Sequence, residues 1–310
     1  MDERTIFDRV LWAVDPLTRD KSLQETAVKV LKALSRSMNL KIQPLSIILE
    51  DQIPYIAGRH YSISDFNEQL ETQLNHWLSQ LHVPEMVKAR LVVEKEFSIK
   101  SAVKTLLTFA LENKYDLIVA TTHAKKRETD TDLGTFAETL FLYSKTPLLL
   151  VAPEAQIPTS YHEIFFPTDL SLQSLNALKT VETLALRLKA HLTIFHKMFS
   201  FAKDVVEFPY STDARSNYLA QLHSDNQVEL ETITNKLKNR GVAADYVIDR
   251  IEADYISKSI LQRAKQIKDC FIAMAAHTGN EITSLPGSIT RQVIRSASMP
   301  ILVLHPKREL

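Results

Sequence analysis

Two stretches of this chain repeat one pattern at the distance of a whole domain. "DLIVATTHA…GTFAETLFLYSKTPLLLVAP", Asp116 to Pro153, is answered by "CFIAMAAHT…GSITRQVIRSASMPILVLHP", Cys270 to Pro306. Gly287 stands 153 positions after Gly134 and Pro300 stands 153 after Pro147, while His277 stands 154 after His123. The beginnings repeat too: "RVLWAVD", ending at Asp15, and "EIFFPTD", ending at Asp169, are 154 apart. Such a period is far longer than that of a solenoid. The 310 residues therefore read as two copies of one domain, 1–153 and 162–310, joined by a Pro-rich polar linker over 154–161.

Each copy alternates strand and helix. In the second, "HEIFFPT" is a short apolar strand, and the helix after it places Leu175, Leu178, Val181, Leu184 and Leu188 at helical spacing. Ser171 is its N-cap. "HLTIFHKM" is a second strand, and "NYLAQLHSDNQVELETITNKLKNR" is a helix ended by Gly241. "VAADYVID", "CFIAMA" and "PILVLHP" are the remaining strands. The first copy places strands near Val10–Val14, Ile42–Leu49, Ala89–Glu96, Asp116–Thr121 and Leu148–Ala152. Short, wholly apolar strands between helices imply a parallel sheet covered on both faces. The expected fold class is α/β: two tandem doubly wound, Rossmann-like domains, each a five-stranded parallel sheet with helices on both faces. Ligands of such sheets bind at the carboxyl ends of strands where the strand order reverses. That points to Asp15 and Asp169 after the first strands, and to Thr122–Leu133 and Ala276–Pro286 after the fourth.

Composition narrows the functions. Lys+Arg and Asp+Glu are 37 each, without the basic excess of a nucleic-acid binder. The single cysteine, Cys270, excludes an internal disulfide framework and fits a reducing, cytoplasmic setting. The charged start "MDERTIFDRVLWAVD" lacks a signal-peptide core, and no run of 18 uncharged apolar residues suggests a membrane span. Only 5 glycines occur, against an average usage of about 7%. Phosphate loops use glycine to bring backbone N–H groups close to the ligand, so the scarcity argues against a rich nucleotide site.

"PTDLSLQSLNAL", Pro167 to Leu178, resembles the first strand–helix junction of universal stress proteins, P-T-D-x-S before a helix. "PGSITRQVIRSASMPILVLHP" resembles their last helix and strand, and "DLIVATTHA" their D-L-I-V-M-G-T-H-G. The order and repetition of these motifs, from near Val10 to near Pro306, resemble a tandem member of that family. The resemblance implies a stress-response protein. Nucleotide-binding members hold ATP, with Mg, by an Asp after strand one and a loop G-x-x-G-x9-G-[S/T] leading into the next helix. Carried over, this gives Thr168, Asp169, Ala275, His277, Thr278, Gly279, Gly287, Ser288, Ile289 and Thr290 in the second copy, and Asp15, Gly134 and Thr135 in the first. Both copies depart from the pattern. Ala275 and Thr278, like Thr121 and Ala124, replace its first two glycines, and the spacing from Thr278 to Gly287 is one residue short.

Chemically, a helix start offers free N–H groups and a favourable dipole to an anion. The same residues also serve as ordinary caps. If the lost glycines stood at positive φ, each Cβ would cost about 1–2 kcal/mol. His123 and His277 have no paired nucleophile, and His60, His76 and His82 lack metal-site spacing. The loop "HAKKRETDTD" offers Lys125, Lys126 and Arg127 to phosphate, or is solvated surface. "MFSFAKDVVEFPY", Met198 to Tyr210, is a wall for an apolar ligand or core cover. The fifth strands present edges, and edges invite pairing, so the two copies are expected to pair through them; a homodimer is left open. The leading expectation is a non-catalytic stress-response protein with weak or vestigial ATP binding, chiefly in the second copy. An ATP-binding protein with slow hydrolysis, or a scaffold for an apolar ligand without nucleotide, are the alternatives.

Overall fold

The structure, a computed structural model, describes residues 7–15, 22–53, 63–122, 134–198, 212–250, 255–277 and 287–305. The first half contains strands β1 (Arg9–Ala13), β2 (Lys41–Leu49), β3 (Arg90–Glu94), β4 (Leu117–Thr121) and β5 (Leu148–Val151). Its helices are α1 (Ser22–Ser35), α2 (Ile63–Ser79), α3 (Ile99–Glu112) and α4 (Thr135–Tyr143). The second half contains β6 (Glu163–Thr168), β7 (His191–Lys197), β8 (Ala244–Asp249), β9 (Cys270–Ala275) and β10 (Ile301–Leu304). Helices α5 (Leu172–Leu188), α6 (Thr212–Asn239), α7 (Ile256–Ala264) and α8 (Ser288–Ser296) accompany them.

Strand order is β3-β2-β1-β4-β5-β10-β9-β6-β7-β8, a single ten-stranded sheet. Every neighbouring pair is parallel except β5 with β10, which is antiparallel. Each half is thus a five-stranded doubly wound unit, and the expected pairing of the two fifth strands joins them. Leu302 lies opposite Leu149, Ile301 opposite Leu150 and Val303 opposite Leu148. Far from being exposed edges, all six side chains are buried.

Alternation along the strands explains the two layers. Val10, Trp12, Leu117, Val119, Leu149, Ile164, Phe166 and Leu302 face one side, with α1, α2, α5 and α6. Leu11, Ile118, Leu148, Leu150, Phe165, Ile272, Ile301 and Val303 face the other, with α3, α4, α7 and α8. Both apolar layers run unbroken from one half into the other. The segment between the halves lies along α1: the Thr26 hydroxyl donates to the Pro153 carbonyl at 3.0 Å, and Arg36 donates to the Thr159 carbonyl. Arg187 on α5 reaches Asp8 before β1 at 2.8 Å.

Local signals are placed as expected. The Ser171 hydroxyl accepts from the Ser174 N–H at the start of α5. Gly241, at φ 88, lies in the left-handed region just past α6, where a side chain would be strained. Helix α6 begins at Thr212, five residues before the apolar pattern does at Asn217. No helix among the described residues is long and apolar enough to cross a membrane.

Candidate functional site

The strand order reverses between β1 and β4 in the first half and between β6 and β9 in the second. The carboxyl ends of these strands carry the sequence-predicted residues. Parallel register sets Phe165 opposite Ile272, so Thr168 and Ala275 end their strands at the same level.

The turn after β6 is built from its own side chains. Thr168 Oγ1 accepts from the Leu170 N–H at 3.0 Å, and the Ser174 hydroxyl donates to Thr168 Oγ1 at 2.9 Å. Asp169 Oδ1 accepts from the Ser171 N–H at 3.0 Å and from the Ser171 hydroxyl at 2.6 Å. These bonds hold Leu170 at φ 62, a conformation costing about 1–2 kcal/mol for a residue with a Cβ. Asp169 is therefore a turn-forming residue, and Thr168 has its hydroxyl oxygen engaged as an acceptor within the turn.

Behind the turn lies a buried histidine that sequence reasoning missed. His196 Nδ1 donates to the Thr168 carbonyl at 3.0 Å, and the Asn226 amide donates to His196 Nε2 at 3.1 Å. The carbonyl can only accept, so the proton belongs on Nδ1. An alternating strand pattern gives no sign of such a residue, because its partner Asn226 comes from the distant α6. Further along the same sheet end, Lys197 pairs with Asp249 at 3.0 Å; the two side chains are 6% and 14% exposed.

Ala275, the last residue of β9, and Ala276 after it are buried, and His277 is half-buried. The Gly287 N–H donates to the Ala276 carbonyl at 2.8 Å. In the first half the Gly134 N–H donates to the Thr122 carbonyl at 2.9 Å. The two loops are closed at their bases by the same bond. Gly134 and Gly287 have φ −59 and −62, and neither helix start receives a side-chain cap. The first-turn N–H groups of α4 and α8 point beyond the sheet end as a helix start dictates.

Two expectations are revised. Thr290 is fully buried and its hydroxyl donates to the Ala275 carbonyl at 3.0 Å; it locks α8 onto β9 and leaves only its backbone N–H for a ligand. Ala275 and Thr121, which replace the first glycine of the resembled loop, are not among the residues with positive φ. Their Cβ therefore costs no backbone strain, and any loss is one of close approach. The two helix starts also differ in charge: at equivalent repeat positions the first turn of α4 carries Glu138 and that of α8 carries Arg291. These two side chains lie against each other, Arg291 Nε 3.7 Å from Glu138 Oε1, so neither charge is directed at a helix start alone.

Of the other candidates, Asp15 is half-buried past β1, and Thr135 and Ser288 are exposed at their helix starts. Ile289 is half-buried beside the apolar layer. Thr278, Gly279, His60, the whole His123–Asp132 loop with Ala124, Lys125, Lys126 and Arg127, and the aromatic stretch after Met198 lie outside the described residues. No group of three or more His, Cys, Asp or Glu side chains among the described residues could hold a metal ion. Between the halves, Phe7, Leu34, Met38, Tyr161, Phe271 and Leu302 line a gap of about 20 Å³. That is room for about one water, not for an apolar ligand.

Residues 160–305 match the Universal stress protein family. Among solved structures, the chain is similar to a universal stress protein from Archaeoglobus fulgidus, with a TM-score of 0.64, 16% identity, and 98% of each chain covered. It is similar to a functionally unknown protein from Pseudomonas aeruginosa PAO1, with a TM-score of 0.63, 12% identity, and 97% of this chain and 93% of that one covered. A putative universal stress protein from Pseudomonas aeruginosa UCBPP-PA14 gives 0.62 at 12% identity, covering 97% and 94%. No curated protein matches. At these identities the structural likenesses establish the shared two-unit fold.

Proposed function

With residues 160–305 belonging to the universal stress protein family and the first half repeating their fold, we propose that the protein is a non-catalytic stress-response module of the cytoplasm. Its second half binds a nucleotide, ATP with Mg, weakly; the first half does so less or not at all. The observation that carries this reading is the start of α8. It ends the crevice between β6 and β9, lacks a side-chain cap and carries no acid in its first turn. Ser288, Ile289 and Thr290 supply backbone N–H groups to phosphate, and Asp169 is placed for ribose hydroxyls, as acids are in other doubly wound folds.

Weakness follows from what is already spent. The Gly287 N–H and the Thr290 hydroxyl are bonded within the fold, and Asp169 shares Oδ1 with Ser171. A few charge-assisted hydrogen bonds of about 1.5–3 kcal/mol each, less the cost of immobilising the ligand, leave a Kd near millimolar, about 4 kcal/mol. The gap between the halves is too small to favour an apolar ligand.

The test is calorimetric titration of the whole chain with ATP–Mg. Ser288→Asp keeps a good helix start while setting a negative charge against phosphate. Binding by the parent chain, its loss in Ser288→Asp and its persistence in Thr135→Asp are expected. No heat at millimolar ATP would end the nucleotide reading; equal loss from both variants would end the preference for the second half.

A further inference from the structure

The junction of the halves obeys a local pseudo-twofold axis. Leu302 lies opposite Leu149, and these are equivalent positions, 153 apart like Gly134 and Gly287. Ile301 opposite Leu150 and Val303 opposite Leu148 follow the same symmetry. A residue near such an axis faces its own repeat equivalent. The strands themselves cannot tell one half from the other, because Leu148, Leu149 and Leu150 correspond to Ile301, Leu302 and Val303, all apolar and buried. Backbone pairing and hydrophobic contact would serve two first halves, or two second halves, about as well as one of each.

The flanking helices do discriminate. Glu138 of α4 and Arg291 of α8 are repeat equivalents, and they meet across the axis with Arg291 Nε 3.7 Å from Glu138 Oε1. Arg295, one turn further along α8, donates to the same oxygen at 3.1 Å. One carboxylate thus sits between two guanidiniums. In a pair of first halves, Glu138 would face another Glu138. In a pair of second halves, two copies each of Arg291 and Arg295 would crowd together. Only the mixed pair is complementary, and like charges set against each other reject the others.

We propose that Glu138, opposed to Arg291 and Arg295, is the selector by which the fifth-strand face of the first half takes a second half in preference to a copy of itself. The partner this surface fits is therefore an α8–β10 face bearing two guanidiniums, in the same chain or, by exchange, in a second copy of it.

The experiment uses the whole chain with a protease site placed within 154–161. It is cut while folded, unfolded in urea, refolded, and its pairs are counted by native mass spectrometry. Mixed pairs should exceed each kind of like pair by about tenfold or more. Glu138→Arg should bring the pairs to the proportions of random association, and Glu138→Arg combined with Arg291→Glu and Arg295→Glu should restore the excess. Random proportions in the parent chain, or an excess untouched by Glu138→Arg, would overturn the proposal. A second measurement does not depend on refolding of cut chains. In the uncut chain, the urea midpoint of the combined reversal should lie closer to the parent than that of either partial reversal; simple addition of the two losses would overturn it equally.

Discussion

Replacing Leu302 by Ala should cost about 3–4 kcal/mol of stability. Leu302 is 2% exposed and sits opposite Leu149, itself 4% exposed, at the centre of the sheet. Large-to-small changes at buried leucines cost about 2–5 kcal/mol, the higher values where surroundings cannot collapse into the cavity. Here they cannot easily do so. β10 is held by β5 on one side and by β9 on the other, and Leu302 already borders a small gap beside Tyr161 and Phe271. Urea unfolding followed by circular dichroism gives the number, with an unchanged m-value as the condition for reading it as stability. Leu172→Ala is the control: that leucine is 67% exposed at the start of α5 and should move stability by no more than about 0.5 kcal/mol. A loss below about 1 kcal/mol for Leu302→Ala, or equal losses for the two variants, would refute the claim that the fifth strands form one packed centre. Because both apolar layers cross that centre, the parent chain should also unfold in one transition.

Two histidines make opposite pH predictions. His191 is pulled down by partial burial, but its bonds to Glu163 at 2.8 Å and Asp245 at 3.1 Å raise it above the ordinary value overall. The stabilisation it gives is complete below about pH 6.5 and is lost as pH rises through the elevated folded value; an NMR titration placing His191 below the ordinary histidine range would contradict this. Burial, with the neighbouring His277 acting in the same direction, holds His305 down to about 4 against its hydrogen bonds to backbone carbonyls. The unfolded chain then takes up this proton first, so stability should fall as pH drops from about 6.5 towards 4. His305→Gln should flatten that part of the profile, and an unchanged slope would count against it. Burial likewise pushes the Cys270 thiol up to about 12, with its sulfur against the Ala264 carbonyl and Met299. Iodoacetamide should leave the folded protein unlabelled and react once it is unfolded; labelling of the native chain at the rate of a free thiol would overturn that.

The sequence alone determined the architecture, because the architecture is written in local periodicity and in repetition. Apolar runs such as "CFIAMA" between amphipathic helices specify parallel strands covered on both faces, and the matching of Gly134 with Gly287 and Pro147 with Pro300 specifies two copies. It also located the crevice, since the carboxyl ends of β6 and β9 follow from topology. Even the charge opposition of Glu138 and Arg291 was present in the aligned repeats, though only a pseudo-twofold axis gives it meaning. Tertiary structure decided what each polar group does. Thr290 reads as a ligand contact until its hydroxyl is seen bonded to the Ala275 carbonyl. Asp169 reads as a ribose acceptor, and only the structure adds that its Oδ1 already accepts from Ser171. His196 had no signal at all, because its role depends on Thr168 and on Asn226, 30 residues away on another element. Burial of apolar surface is non-directional and leaves a regular trace along the chain. A hydrogen bond is short and directional, so its partner is fixed only when distant segments are brought within about 3 Å of one another.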